Sequence, residues 1–142
     1  MGPVDQEIQK FDFNSLKVVM MVNSFSIIKI VQIILNQNHP IKCIINISSD
    51  GGSIKLNEDG KFYMYRTSKS ALNSITKSLS AILQQKNKGI CFAVDPGNMK
   101  SGMNPGGILD PNKCAEIIIS KVSNNNNLNG KFIDLLGNEI PW

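Results

Sequence analysis

Tyr65-Arg66-Thr67-Ser68-Lys69 decides how this chain is read. A tyrosine and a lysine four residues apart lie on one face of a helix, one turn from each other. At about 4 Å and an effective dielectric near 20, the ammonium attracts the phenolate by roughly 4 kcal/mol. At about 1.4 kcal/mol per unit, a phenol that starts near 10 is then expected to titrate near 7. Such a group exchanges a proton with a substrate oxygen at neutral pH. Seventeen residues before the lysine comes Gly52, closing Ser48-Ser49-Asp50-Gly51-Gly52, a hydroxyl-rich turn placed to steady that oxygen. The bland alternative is a solvated surface helix, and the pair alone does not exclude it.

The flanking sequence does. Tyr65-Arg66-Thr67-Ser68-Lys69-Ser70-Ala71-Leu72-Asn73 resembles the active-site helix of the short-chain dehydrogenase/reductase family. Asn46-Ile47-Ser48-Ser49-Asp50-Gly51-Gly52-Ser53-Ile54 is similar to that family's serine-bearing strand, and the Ser-x-x-Gly pattern selects Ser49. Val94-Asp95-Pro96-Gly97 with Ser101 resembles the Pro-Gly turn and hydroxyl residue that contact the nicotinamide. Val22-Asn23-Ser24-Phe25 resembles the segment that carries a catalytic asparagine. The tail from Gly130-Lys131-Phe132 to Gly137-Asn138-Glu139-Ile140-Pro141-Trp142 is similar to the branch containing C-factor and sniffer-type carbonyl reductases. The resemblance runs from about Asp5 to Trp142.

It implies NAD(P)-dependent reduction of a carbonyl, or oxidation of an alcohol, with NADP slightly favoured over NAD. Tyr65 would be the general acid. Lys69 would lower its pKa and bind the nicotinamide ribose. Ser49 would orient the carbonyl, Asn23 would hold a relay water, and Pro96, Gly97 and Ser101 would shape the nicotinamide pocket. Tyr63 is set aside, because its i+4 residue is Thr67. Family members also carry a first strand, a Thr-Gly-x-x-x-Gly-x-Gly loop and a helix that hold the cofactor pyrophosphate. These 142 residues contain no such motif; Gly102-Met103-Asn104-Pro105-Gly106-Gly107-Ile108 has isoleucine where the last glycine belongs. The expected fold is therefore α/β, the C-terminal half of a Rossmann-like doubly wound sheet. It would be one truncated domain over residues 1–142, with about three parallel strands and flanking helices. The alternative function is a catalytically inactive fragment or subunit acting through protein association.

Composition narrows the classes. The hydrophobic fraction of 42% is ordinary for a globular core. The net charge of +4 comes from scattered lysines with few aromatics among them, which argues against a nucleic-acid surface. Cys43, Cys91 and Cys114 have no ligand spacing, and His39 stands alone before Pro40, so no metal site is expected. The thiols read as reduced core residues of a cytoplasmic protein. Val18 to Leu35 is apolar, but Asn23, Lys29 and Gln32 interrupt it. It is read as a buried or interface helix with no membrane role.

The element pattern is helix–strand–helix–strand–helix–strand. Helices are predicted over about Ser15–Asn36, Tyr63–Gln85 and Asn112–Val122, and strands over Ile41–Ile47, Ile90–Val94 and Lys131–Leu135. Leu72, Ile75, Leu79 and Ile82 are the predicted apolar stripe of the second helix. Asn23-Ser24-Phe25-Ser26 is poor helix material and predicts a local bend in the first. Alternation of helix and strand gives parallel pairing through right-handed crossovers. The strand at Ile41–Ile47 would then be an edge that needs a cover: a second copy of the chain, a complementing N-terminal half, or aggregation.

Overall fold

A computed structural model of the protein describes residues 8–86, 89–124 and 127–142. Helix α1 spans Phe13–Met20 and passes through a π-helical turn at Met21–Phe25 into α2, Ser26–Asn36. Strand β1 (Cys43–Ile47) leads to a single 3-10 turn at Asp50–Gly52, then to α3 (Tyr63–Gln85), β2 (Ile90–Val94), α4 (Pro111–Asn124) and β3 (Phe132–Ile133). The strands lie in the order β1-β2-β3 and every pair is parallel, with Cys43 opposite Ile90 and Ala93 opposite Phe132. This is the half-Rossmann sheet expected from the sequence.

Side chains alternate across the central strand, as the two-residue period requires. Phe92 and Val94 point into one core with Cys114, Ile118, Leu128 and Ile133. Cys91 faces the other, with Val31, Ile41, Leu79 and Leu83. The sheet is thus sandwiched between α4 on one side and α2 with α3 on the other.

Local chemistry explains the boundaries. Asp12 caps α1 by accepting from the backbone N–H groups of Asn14 and Ser15. Asp110 does the same for α4 through Asn112 and Lys113, with Pro111 at the first helical position. β3 is shorter than predicted because Asp134 Oδ1 accepts from the N–H groups of Gly137 and Asn138, turning the chain before Leu135 can pair. The buried stripe of α3 also differs from the expectation. Leu83 is fully buried whereas Ile82 is largely exposed, and Ser68, Thr76 and Ser80 join Leu72 and Leu79 on the inner face. Polar groups are tolerated there because each finds a partner: Thr76 Oγ1, for example, accepts from Asn46 Nδ2 of β1 at 2.8 Å.

Of the two readings of the first helix, buried or interface, the buried one does not hold. Only Val19, Ser24 and Val31 are buried, while Phe13, Met21 and Ile30 are more than half exposed. The run Phe13–Asn36 is long and apolar enough to cross a membrane by length and composition alone. Cys43 is likewise only partly buried; Cys91 and Cys114 are buried, and all three thiols are free. No group of three or more metal-ligating side chains occurs among the described residues. The edge of β1 opposite β2 has no strand partner among them either.

Candidate active site

The site forms where three segments meet at the carboxyl ends of β1 and β2. From β1 come Ser48, Ser49 and the Asp50–Gly52 turn; from β2 come Asp95, Pro96 and Gly97. Phe62 just before α3, and Tyr65 and Arg66 in its first turn, join them. Together with Met99, Ser101, Met103 and Asn104 they line a cleft of about 440 Å³. Gly52 makes the close approach possible. A Cβ there would stand 2.8 Å from Asn73 Nδ2 and 3.1 Å from the Lys69 carbonyl carbon. The carbonyl of Gly52 accepts from Ser70 Oγ and Asn73 Nδ2, and Ser48 Oγ donates to Asn73 Oδ1 at 2.7 Å. The serine turn is thereby fastened onto α3.

That junction sets Ser49 beside Tyr65: a Cβ on Gly51, between them, would stand 3.4 Å from both Ser49 Oγ and Tyr65 Cε1. Ser49 Oγ accepts from the Gly51 N–H at 3.1 Å and lies 2.9 Å from Asp50 Oδ1. A hydroxyl has one proton to give, and Asp50 is placed to accept it. Lys69 sits behind the pair. Its Nζ donates to the Ile47 carbonyl at 2.9 Å and lies 5.7 Å from the centre of the Tyr65 ring. Asn23 is outside the cleft, within the π-helical turn, where its Nδ2 donates to Ser68 Oγ at 3.0 Å; Ser24 Oγ donates to the Ser68 carbonyl. Pro96, Gly97 and Ser101 all reach the cleft wall, and the Ser101 hydroxyl accepts from the Asn104 N–H.

One sequence expectation is corrected. The Tyr65 phenol is pushed above its usual range, not below it. Burial is the main cause, and the carboxylates of Asp95 and Asp50 add to it; only the bond to Ser49 works in the other direction. The Lys69 ammonium does not offset this, because it is engaged with the Ile47 carbonyl, while burial lowers its own pKa. Asp95 is raised too, first by burial and then by its neighbours Asp50 and Asp134. Neither aspartate was singled out in the sequence, since each follows a motif residue and only the strand order brings them together.

A pH dependence follows. The unfolded phenol ionises near 10.0 and the folded one above it, so both are protonated below that pH and Tyr65 contributes no slope there. As pH rises past 10.0 the unfolded chain loses its proton first, and stability falls until the folded value is passed. Asp95→Asn removes one raising charge. Tyr65 is then expected to titrate at lower pH, read by ultraviolet absorbance in a Tyr63→Phe background, and the alkaline loss of stability should shrink. An unmoved titration would show that Asp95 does not act on the phenol.

With this geometry in place, comparison with known proteins identifies the class. The short chain dehydrogenase family matches residues 2–107, and the chain belongs to that family. It is 29% identical over 104 residues to C-signal of Myxococcus xanthus, a match covering 72% of this chain and 62% of that protein. Among solved structures it is similar to the carbonyl reductase Sniffer of D. melanogaster. There the TM-score is 0.87 and the identity 31%, over 100% of this chain and 63% of that one. The NADPH-bound carbonyl reductase from chicken fatty liver superimposes with a TM-score of 0.81 at 25% identity, again covering 100% of this chain and 63% of the other. The 142 residues thus span a little under two thirds of the length of these relatives.

Proposed function

We propose that the protein is an NAD(P)-dependent oxidoreductase that interconverts a carbonyl compound and its alcohol, with NADP the favoured cofactor. The observation that carries this reading is Ser49 and Tyr65 standing side by side against Gly51 and facing Pro96 and Gly97 across one cleft. The residues present fit the nicotinamide end of such a cofactor. Gly97 has a positive φ of 66°, and a Cβ on it would meet no protein atom within 4 Å, leaving room for a flat ring. The half-buried Lys69 ammonium has three donors, of which one is used on Ile47, leaving two for ribose hydroxyls. When bound, the cofactor supplies the hydride.

The chain's own groups do the rest. Tyr65 gives its proton to the substrate oxygen in reduction, and its raised pKa keeps that proton in place across neutral pH. Ser49 Oγ orients the same oxygen. Asn23 enters this reading through the π-helical turn, which replaces α-helical bonding at that residue and suits it to holding a relay water. None of the described residues forms a glycine-rich phosphate loop, so only the nicotinamide end is assigned to them.

The test is titration of the purified chain with NADPH and NADH, followed by reduced-nicotinamide fluorescence, with Lys69→Ala as control. Saturable binding that the control loses, followed by turnover of carbonyl compounds, is the expected result. The absence of binding at millimolar cofactor would overturn the reading for this polypeptide.

A second reading is a subunit that acts by association, and the exposed apolar face of α1 and α2 favours it. Phe13, Val18, Met21, Val22, Ile28 and Ile33 together exceed the scatter of single surface hydrophobics. A homodimer through the helices around the site would cover them, whereas a complementing N-terminal half would cover the β1 edge. The three unpaired thiols suit a cytoplasmic setting. Sedimentation velocity should show concentration-dependent self-association, and a strict monomer would remove the homodimer.

A further inference from the structure

A second cavity, of about 270 Å³, adjoins the cleft and is lined by Ile54, Lys61, Tyr63, Thr67 and Ser70. Gly51 and Arg66 line both cavities. Gly51 has no side chain to divide them, so the Arg66 side chain is the wall between. We propose that Arg66 is a specificity-determining partition: it sets the length of substrate the cleft accepts, and the adjoining groove becomes a tail compartment when the wall is removed. This rests on the reading of the Ser49–Tyr65 cleft as the reaction site.

The wall is tethered loosely. Arg66 Nη2 meets Asp59 Oδ1 at 3.2 Å, but that carboxylate is about half exposed, and an ion pair so placed is easily exchanged for water. Arg66 Nε is buried with no hydrogen-bond partner, a cost the closed wall carries and an outward swing relieves. Asp59 also accepts from the Lys61 N–H, and the Arg66 N–H donates to the carbonyl of Phe62, whose backbone is left-handed at φ 57°. The short segment from Asp59 to Arg66 is thus one clasp at the cleft mouth, and Asp59 is its positioning residue.

The groove itself indicates what it would take. Ile54 and the Tyr63 ring offer apolar contact, while Thr67, Ser70 and the Lys61 ammonium offer polar groups. A fitting occupant is an alkyl tail that ends in a hydroxyl. The chemistry at the carbonyl is unchanged; only the reach of the molecule differs.

The experiment compares butanone, hexanone and octanone, with and without a terminal hydroxyl, on the full chain and on Arg66→Ala. Each methylene that gains burial is worth about fourfold in relative kcat/KM. The octanone-to-butanone ratio should therefore rise about tenfold or more in Arg66→Ala, most for the hydroxylated chain. Alongside, nitrogen–proton NMR with octanediol, without cofactor, should shift the amides of Gly97 and Ser101 in both proteins. Those of Ile54, Thr67 and Ser70 should shift only in the variant. An unchanged length preference, or groove amides that stay still in the variant, would overturn the partition. If no ketone is turned over, the reductase reading fails and the NMR comparison still decides the partition alone. Should Arg66→Ala not fold, Asp59→Asn frees the wall without touching the core, and its ratio should rise about threefold, less than one full methylene.

Discussion

Replacing Tyr65 with phenylalanine is expected to lower kcat for carbonyl reduction by about a thousandfold, within the range of a positioned general acid. The ring stays and only the hydroxyl goes. Ser49 beside it keeps its contacts to Asp50 and to the Gly51 N–H, so no buried group is left orphaned. Stability should change by no more than about 1 kcal/mol, the net worth of one hydrogen bond. Substrate and cofactor affinity should move little, since the lost interaction matters most as the proton leaves. A variant that retains a tenth of the wild-type kcat would show that another group delivers the proton. Ser49→Ala would then be the informative comparison, because the Ser49 hydroxyl stands beside the phenol in the same cleft.

The steepness of that expectation depends on the proton being present. With Tyr65 raised by burial and by Asp95 and Asp50, the reduction rate should be flat through neutral pH and fall only in the alkaline range above 10.0. The reverse reaction needs the deprotonated phenol and should climb with pH over that same range. Had Lys69 pulled the phenol down toward 7, both profiles would break near neutrality. The position of the break therefore reports which neighbour governs the phenol.

That difference marks the boundary of what the sequence could show. The bounds of α3 and β2 were legible because each is a continuous run closed by clear punctuation: the polar loop before Tyr63, and Gly89 before Ile90. The π-helical turn was legible as a weakness at Asn23-Ser24-Phe25-Ser26, although not as a π turn; what fixes it is Ser24 and Asn23 bonding to Ser68, more than forty residues away. The buried stripe of α3 slipped from Ile82 to Leu83 because burial there follows the surface of the sheet, and a single-helix period does not contain that surface. The aspartates escaped for a similar reason. Asp50 and Asp95 follow different strands, and only the parallel pairing of Ile47 with Val94 brings them to one cleft. Periodicity along the chain reveals elements; charges that act across strands appear once the register is known.

The second large effect belongs to Gly52, which joins the end of β1 to α3. Gly52→Val should cost about 1–3 kcal/mol of stability, the usual range for overpacking, read by chemical denaturation. Even the first added carbon would stand 2.8 Å from Asn73 Nδ2 and 3.1 Å from the Lys69 Cβ, too near for either to remain in place. Activity should fall about a hundredfold, because a shift on the order of 1 Å between reacting groups suffices for that. The turn cannot yield toward solvent without breaking the bonds from Ser70 and Asn73 to the Gly52 carbonyl, and Ser49 moves with it. Gly102→Ala is the matched control: a Cβ there meets nothing within 4 Å, and its effect should stay within about 0.5 kcal/mol. If Gly52→Val were as stable and as active as the control, the serine turn would not be clamped to α3. The Ser49–Tyr65 contact would then need another source of rigidity. If stability fell while activity held, the clamp would serve the fold alone, and the site would tolerate more movement than its hydrogen bonds imply.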